Sequence, residues 1–267
     1  MNNIFEYEGY KFNKGSVTKV TDPLTVEAPL QININGESFT VVMQTPGDEI
    51  ELATGLLFAE NVIKDFNEVK FNTTINKRNI IDNINLETPK SNLDTGYLSS
   101  RSLLSVSSCG ICGKKEIADL KPKADGLKEK LTISFTELFE LHGNMFSNQD
   151  GFQKTGGCHG VAAFDENKKM LALKEDIGRH NALDKVVGKL IAENKLDAAK
   201  FITFSGRISY EIVSKAFRAK IPVIAAVSSP SSLAIDFGKE FGLTLVGFCR
   251  ENKATCYSFP NRITELN

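Results

Sequence analysis

Tryptophan is absent from this sequence, histidine occurs only three times and cysteine only five. Cysteines this sparse cannot form a disulfide scaffold, and an odd count leaves one unpaired. A reducing compartment, the cytoplasm, is therefore expected. Neither sign of charge dominates: 32 basic and 33 acidic residues leave a formal net charge of -1. That balance removes any whole-chain argument for nucleic acid or an anionic membrane as partner. No uninterrupted apolar run approaches the roughly 20 residues that span a bilayer. The opening MNNIFEYEGYKFNKG lacks the apolar stretch and small-residue cleavage site of a secretory signal. Also missing are a GxxxxGK[ST] run and a GxGxxG after a strand, which disfavours a P-loop nucleotidase and a Rossmann dehydrogenase.

What is present suits an ordinary globular chain, 41% hydrophobic and 24% charged, with room for one large domain or a main domain and a smaller partner. The first half reads as β-rich. Leu30, Ile32 and Ile34 alternate, Asn35-Gly36 supplies a hairpin turn, and Phe39, Val41 and Met43 alternate again. Asp48 and Glu51 stand in capping-box positions ahead of a helical stripe through Ile50, Ala53 and Leu57. Residues 64 to 100 are polar, with strands and long connections expected. Ser134 and Glu137 form a second capping box before Phe135, Leu138, Phe139 and Phe146.

The second half alternates regularly: strands at 161–164, 170–173, 201–204, 222–227 and 243–248, helices through 182–191, 209–220 and 231–241. That rhythm predicts an α/β fold, a mostly parallel sheet with helices on both faces. In such sheets ligands bind beyond the carboxyl ends of the strands. Those ends carry Ser205-Gly206-Arg207, Ser228-Ser229-Pro230 and Phe248-Cys249-Arg250. The first two lead directly into helices, whose free N–H groups favour phosphate, and Arg207 and Arg250 add fork-shaped donors. The plainer reading is helix caps with surface arginines.

Two further segments concentrate reactive side chains. Ser107-Ser108-Cys109-Gly110-Ile111-Cys112-Gly113 is an exposed-loop composition, and Lys114 and Lys115 favour a thiolate. A thiolate there would take up sulfur as a persulfide and pass it on. A lone CxxC lacks the ligands of a structural zinc site, so no metal is expected. The spacing alone leaves dithiol redox chemistry and sulfur transfer both open. Thr155-Gly156-Gly157-Cys158-His159-Gly160 and Glu175-Asp176-Ile177-Gly178-Arg179-His180-Asn181 form the other cluster. His159 and His180 are candidate proton donors, nucleotide contacts or loop ties, and Asp176 a cap or an arginine partner. Cys158, Cys249 and Cys256 read as small apolar filler.

Taken together, SSCGICGKKE, TGGCHGVAAF, EDIGRHNALDKVVG, FSGRISYEIVSKA and LTLVGFCRENKATCYSFPNRI resemble the FdhD family, the formate dehydrogenase accessory sulfurtransferases. The resemblance runs in order from about Pro29 to Ile263. It implies a sulfur carrier that is loaded by a cysteine desulfurase and sulfurates molybdenum bis(molybdopterin guanine dinucleotide) for formate dehydrogenase. It also implies a homodimer and a core, residues 131–267, similar to the cytidine deaminase fold, after a β-rich region, residues 1–130, that holds the CxxC loop. Carried onto this chain, the persulfide cysteine is Cys109 and its CxxC partner Cys112. The cofactor-binding stretch is Phe248, Cys249, Arg250, Glu251, Asn252 and Lys253; Arg207 and His180 are added to it from the reading of the strand-end loops above. Lys253 departs from the arginine expected there, and Glu251 puts a negative charge beside a phosphate site. Zinc deamination itself fits poorly: His142, His159 and His180 are followed two residues on by Asn144, Val161 and Ala182, and no proline precedes the CxxC. A non-catalytic chaperone for the cofactor remains the alternative.

Overall fold

The structure, a computed structural model, describes residues 3–95, 97 and 124–267. The loop of Cys109 and Cys112 lies outside the described residues.

The chain opens with a ribbon that the sequence did not signal: β1 (Ile4–Asn13) and β2 (Ser16–Thr25), paired antiparallel along their whole length. Next come β3 (Ala28–Ile34) and β4 (Glu37–Gln44), the expected hairpin around Asn35-Gly36. Both turn residues have positive φ, the geometry a two-residue hairpin needs. With β5 (Lys70–Ile75) and β6 (Ile81–Glu87) they form a four-stranded sheet ordered β4-β3-β6-β5. Helix α1 (Glu49–Ala59) closes it, so that Leu30, Ile32, Ile34, Ile84 and Leu86 pack with Leu52 and Leu57. On β4 the buried residues are Val42 and Gln44, while Val41 and Met43 are exposed, because the ladder shifts register between Ile32 and Asn33. Asp48 stands before α1 as expected, yet its carboxylate makes no cap. It pairs instead with the Lys174 ammonium.

The remaining described residues build the larger layer. Helices α2 (Phe135–Ser147) and α3 (Asp150–Thr155) precede β7 (His159–Phe164), β8 (Met170–Asp176) and α4 (Arg179–Ala192). Then follow β9 (Phe201–Phe204), α5 (Tyr210–Arg218), β10 (Val223–Ala226), α6 (Ser232–Phe241), β11 (Thr244–Arg250) and β12 (Lys253–Ser258). The sheet is ordered β12-β11-β10-β9-β7-β8.

It is mixed rather than mostly parallel. Only β9, β10 and β11 run parallel, linked by helical crossovers, while β12 and β7 join their neighbours antiparallel and β8 pairs antiparallel with β7. The reason is connection length. The short turn after Phe164 and the two-residue turn Glu251-Asn252 can only reverse the chain, whereas a parallel return needs a crossover of a dozen residues or more. Helices do cover both faces. Val161, Ala163, Ile202, Phe204, Ile224 and Leu245 face α4, α5 and α6, and Ala162, Phe164, Phe201, Val223 and Val246 face α2. The capping box of α2 is present in full, with the Ser134 side chain accepting from Glu137 N–H and the Glu137 carboxylate from Ser134 N–H.

The two sheets meet across α1 and α4. A Cβ on Gly55 would lie 1.9 Å from the Asp184 carbonyl oxygen, and one on Gly188 would lie 1.9 Å from that of Glu51. Both positions exclude any side chain. Beside this crossing lies a polar knot. Lys185, fully buried on α4, donates to the Asp176 carboxylate at 2.7 Å and to the Thr45 carbonyl at 2.6 Å. Asp176 also accepts from the backbone N–H of Thr45 and Gly178 and from the Asn181 amide. Asp176 is thus a lysine partner, not an arginine partner, and every lone-pair direction has a donor, as a buried charge requires. At the far end, buried Arg262 donates to the carbonyls of Leu127, Glu129 and Gly242 and stacks on the Phe259 ring at 4.6 Å.

Candidate functional site: a cavity beyond the strand ends

The parallel strands β9, β10 and β11 all end at one edge, and there the expected loops come together. Ile208 N–H donates to the Ser229 carbonyl, Ser231 N–H to Ile208, and Phe248 N–H to Ser228. Because β7 runs the opposite way, its first residue, His159, also lies at this edge. Ser205 N–H donates to the Gly160 carbonyl, and Ser205 Oγ accepts from Gly160 N–H at 2.9 Å and meets His159 Nδ1 at 3.2 Å.

Beyond that edge opens a cavity of about 780 Å³. Its walls come from three places. Helix α2 and the start of α3 supply Phe139, His142, Phe146, Gln149 and Phe152. The start of β7 supplies Cys158 and His159. The β11–β12 turn supplies Cys249, Arg250, Glu251 and Asn252. Helix α2 therefore serves two sides: Leu138 and Leu141 are buried against the sheet, His142 and Phe146 line the cavity, and Met145 and Phe139 touch both. Gln149 lies so close over Gly160 that a Cβ there would sit 2.2 Å from its amide nitrogen, so glycine at 160 makes the wall possible.

The stretch expected to bind a cofactor is a β-hairpin rather than a loop after the last strand. Arg250 and Lys253 pair across the turn, and Glu251 and Asn252, at positive φ, make it. A further edge strand, β12, follows where none was expected. Cys249, Arg250, Glu251 and Asn252 line the cavity; Phe248 and Lys253 are exposed and lie outside its lining, as do Arg207 and His180. His180 is buried between α4 and α5, its Nε2 2.9 Å from Glu211 Oε2 and 3.2 Å from Ser209 Oγ. Ser209 stands at the cap position of α5 but makes no side-chain cap.

Burial sets the chemistry of the lining. It raises the Cys249 thiol to about 12 and also raises that of Cys158, whose Sγ lies 3.3 Å from Thr25 Oγ1. Both thiols are therefore neutral at physiological pH and poor nucleophiles. Desolvation lowers His142 to about 4; the Ala225 carbonyl raises it slightly, without reaching acceptable hydrogen-bond geometry. His159 is lowered by burial first and then by the Arg179 charge. The cavity is thus a largely aromatic chamber whose charged lining residues, Arg250 and Glu251, stand together at the β11–β12 turn. Among the described residues no cluster of three or more His, Cys, Asp or Glu side chains is placed to hold a metal ion, and no helix is long and apolar enough to cross a membrane.

Fold and cavity define an α/β protein with a ligand-sized cavity beyond the ends of its parallel strands. The chain belongs to the FdhD/NarQ family, whose model matches residues 25–264. Its relatives include the sulfur carrier protein FdhD of Picrophilus torridus, 38% identical over 250 residues that cover 91% of this chain and 93% of that one. The protein of the same name from Saccharolobus solfataricus is 38% identical and covers 92% of each. In overall fold the chain is similar to the crystal structure of a proposed formate dehydrogenase accessory protein from Desulfotalea psychrophila. That match has a TM-score of 0.78, 22% identity and coverage of 98% of this chain and 99% of that one.

Proposed function

We propose that this protein is a sulfur carrier that serves a formate dehydrogenase. Cys109 would hold the sulfur as a persulfide, and molybdenum bis(molybdopterin guanine dinucleotide) would be the substrate that receives it. The observation that carries the reading is the cavity wall. Cys249 to Asn252, four of the six residues from Phe248 to Lys253 that the family resemblance assigns to the cofactor, line a chamber whose aromatic walls suit a flat ring. At about 780 Å³ the chamber is of ligand-pocket size. It would take one nucleotide arm and leave the metal end outside, open to a thiol arriving from elsewhere in the chain. The relatives' name, sulfur carrier protein, supports the other half of the reading.

The loading step balances without an external oxidant. The Cys109 thiolate attacks the outer sulfur of a cysteine desulfurase persulfide, a new S–S bond forms on Cys109, and the desulfurase leaves as its thiolate. The neutral thiols of Cys158 and Cys249 make poor competitors for that sulfur. Cys112, a homodimer, a cytoplasmic location, a deaminase-like core at 131–267 and a separate region at 1–130 belong to the same reading.

Intact-mass analysis and peptide mapping after incubation with a desulfurase and cysteine test it. One reductant-removable sulfur atom on Cys109 is expected. Sulfur found only on Cys158, Cys249 or Cys256 overturns the assignment. A Cys109–Cys112 disulfide without added sulfur points to a dithiol redox protein, and cofactor binding without loading to a chaperone.

A further inference from the structure

Around the rim of the cavity stand two arginines that the structure leaves without a counter-charge. Gly206, in the turn after β9, is the pivot: a Cβ there would touch Arg179 Cδ and His159 Cε1, each at 3.4 Å. Arg179 and His159 therefore flank the turn, and Arg207 is the next residue along it. The charges of Arg179 and Arg207 both act on the His159 ring, which lines the cavity.

The carboxylates of this neighbourhood are engaged elsewhere. Asp176 is held by Lys185, Thr45, Gly178 and Asn181. Glu175 accepts from the N–H groups of Gly151 and Phe152, and Glu211 pairs with His180. Among the described residues neither Arg179 nor Arg207 has a hydrogen-bond or ion-pair partner. For Arg207, exposed to water, that is ordinary. For Arg179 it is not: its Nε is buried and unpaired, a desolvated donor with nothing to donate to. Arg179 is also the first residue of α4, behind Gly178, so the unpaired amide end of a fourteen-residue helix starts beside it.

We propose that Arg179 and Arg207 clamp a phosphate or diphosphate group of the molecule whose ring fills the cavity, with His159 and Ser205 bordering the same anion. This deepens the cofactor reading above and rests on it. It moves the centre of anion binding from Arg250, whose neighbour Glu251 opposes an anion, to the turn after β9 beside His159, where the nearby carboxylates named above are engaged among the described residues.

Calorimetry on the full chain with three probes tests the assignment: guanosine diphosphate, guanosine and inorganic pyrophosphate. Arg179→Gln should weaken guanosine diphosphate and pyrophosphate at least tenfold and leave guanosine unchanged. Arg207→Gln, an exposed position with no fold to disturb, should do the same more mildly, and added salt should shrink both effects. Arg250→Gln should change diphosphate affinity less than either. If Arg250→Gln alone removes diphosphate binding, or if both rim variants bind like the parent chain, the clamp is wrong. If the parent chain binds pyrophosphate through Arg179 but not guanosine diphosphate, the clamp stands and the nucleotide reading falls. If it binds neither, both fall.

Discussion

The seam between α1 and α4 and the ribbon of β1 and β2 stand at opposite extremes. The seam is closed to the width of a hydrogen atom at Gly55 and Gly188, and its one buried cation is saturated by acceptors. The ribbon carries Tyr10 and Phe12 at 79% and 72% exposure, with Val17 opposite Phe12 on the neighbouring strand. Apolar content is therefore a poor guide to what each segment contributes. What separates them is whether a second layer covers the residues. A two-stranded ribbon is marginal on its own, so its base, where Thr25 Oγ1 meets Thr155 Oγ1 and Cys158 Sγ, ties it down.

Three substitutions, compared by urea denaturation at neutral pH, test how far apart the two regions lie. Lys185→Met should cost most, roughly 3–5 kcal/mol, because it leaves the Asp176 carboxylate buried without its cation. Adding Asp176→Asn should recover part of that loss; if the single substitution is silent, the knot is not structural. Gly188→Ala comes next, at roughly 1–3 kcal/mol, since the new methyl must push α1 away from α4. An alanine tolerated without loss would show that the crossing is looser than described. Tyr10→Ser, at the ribbon's far end, should stay within about 0.5 kcal/mol. A larger change there would mean that the ribbon is covered in solution.

Legibility followed burial. Phe201 to Phe204 and Val223 to Ala226 are fully buried strands, and their short apolar runs announce them. The capping box at Ser134 and the turn at Asn35-Gly36 use local chemistry that needs no knowledge of the fold. The β1–β2 ribbon was invisible because water bathes most of both faces, so no apolar alternation is required of it. The β12 edge was hidden because Glu251-Asn252 lacks the glycine that usually marks a two-residue turn. Sheet direction failed for a related reason, since a regular rhythm of strands and helices does not reveal which neighbours they choose. At the site, Ser205 and the stretch around Arg250 could be placed near one edge from their positions at the ends of strands, whereas His159, at the start of β7, reaches that edge only because β7 runs antiparallel to β9. The aromatic wall could not. Phe139, His142 and Phe146 share a helical face with ordinary core spacing, and only the tertiary arrangement leaves that face uncovered. Arg179 stood inside a quoted motif, and its one signal was its place at the start of a helix.

The polar knot also sets a timetable. The bond from Lys185 to the Thr45 carbonyl bridges 140 positions, and that from Thr45 N–H to Asp176 bridges 131. Contacts this distant along the chain close late and slow the search for the native state. The N-terminal sheet is made first on the ribosome, but its Thr45 turn waits for Asp176 and Ile177 at the end of β8 and then for α4. Only when α4 has been synthesised can Lys185 be withdrawn from water.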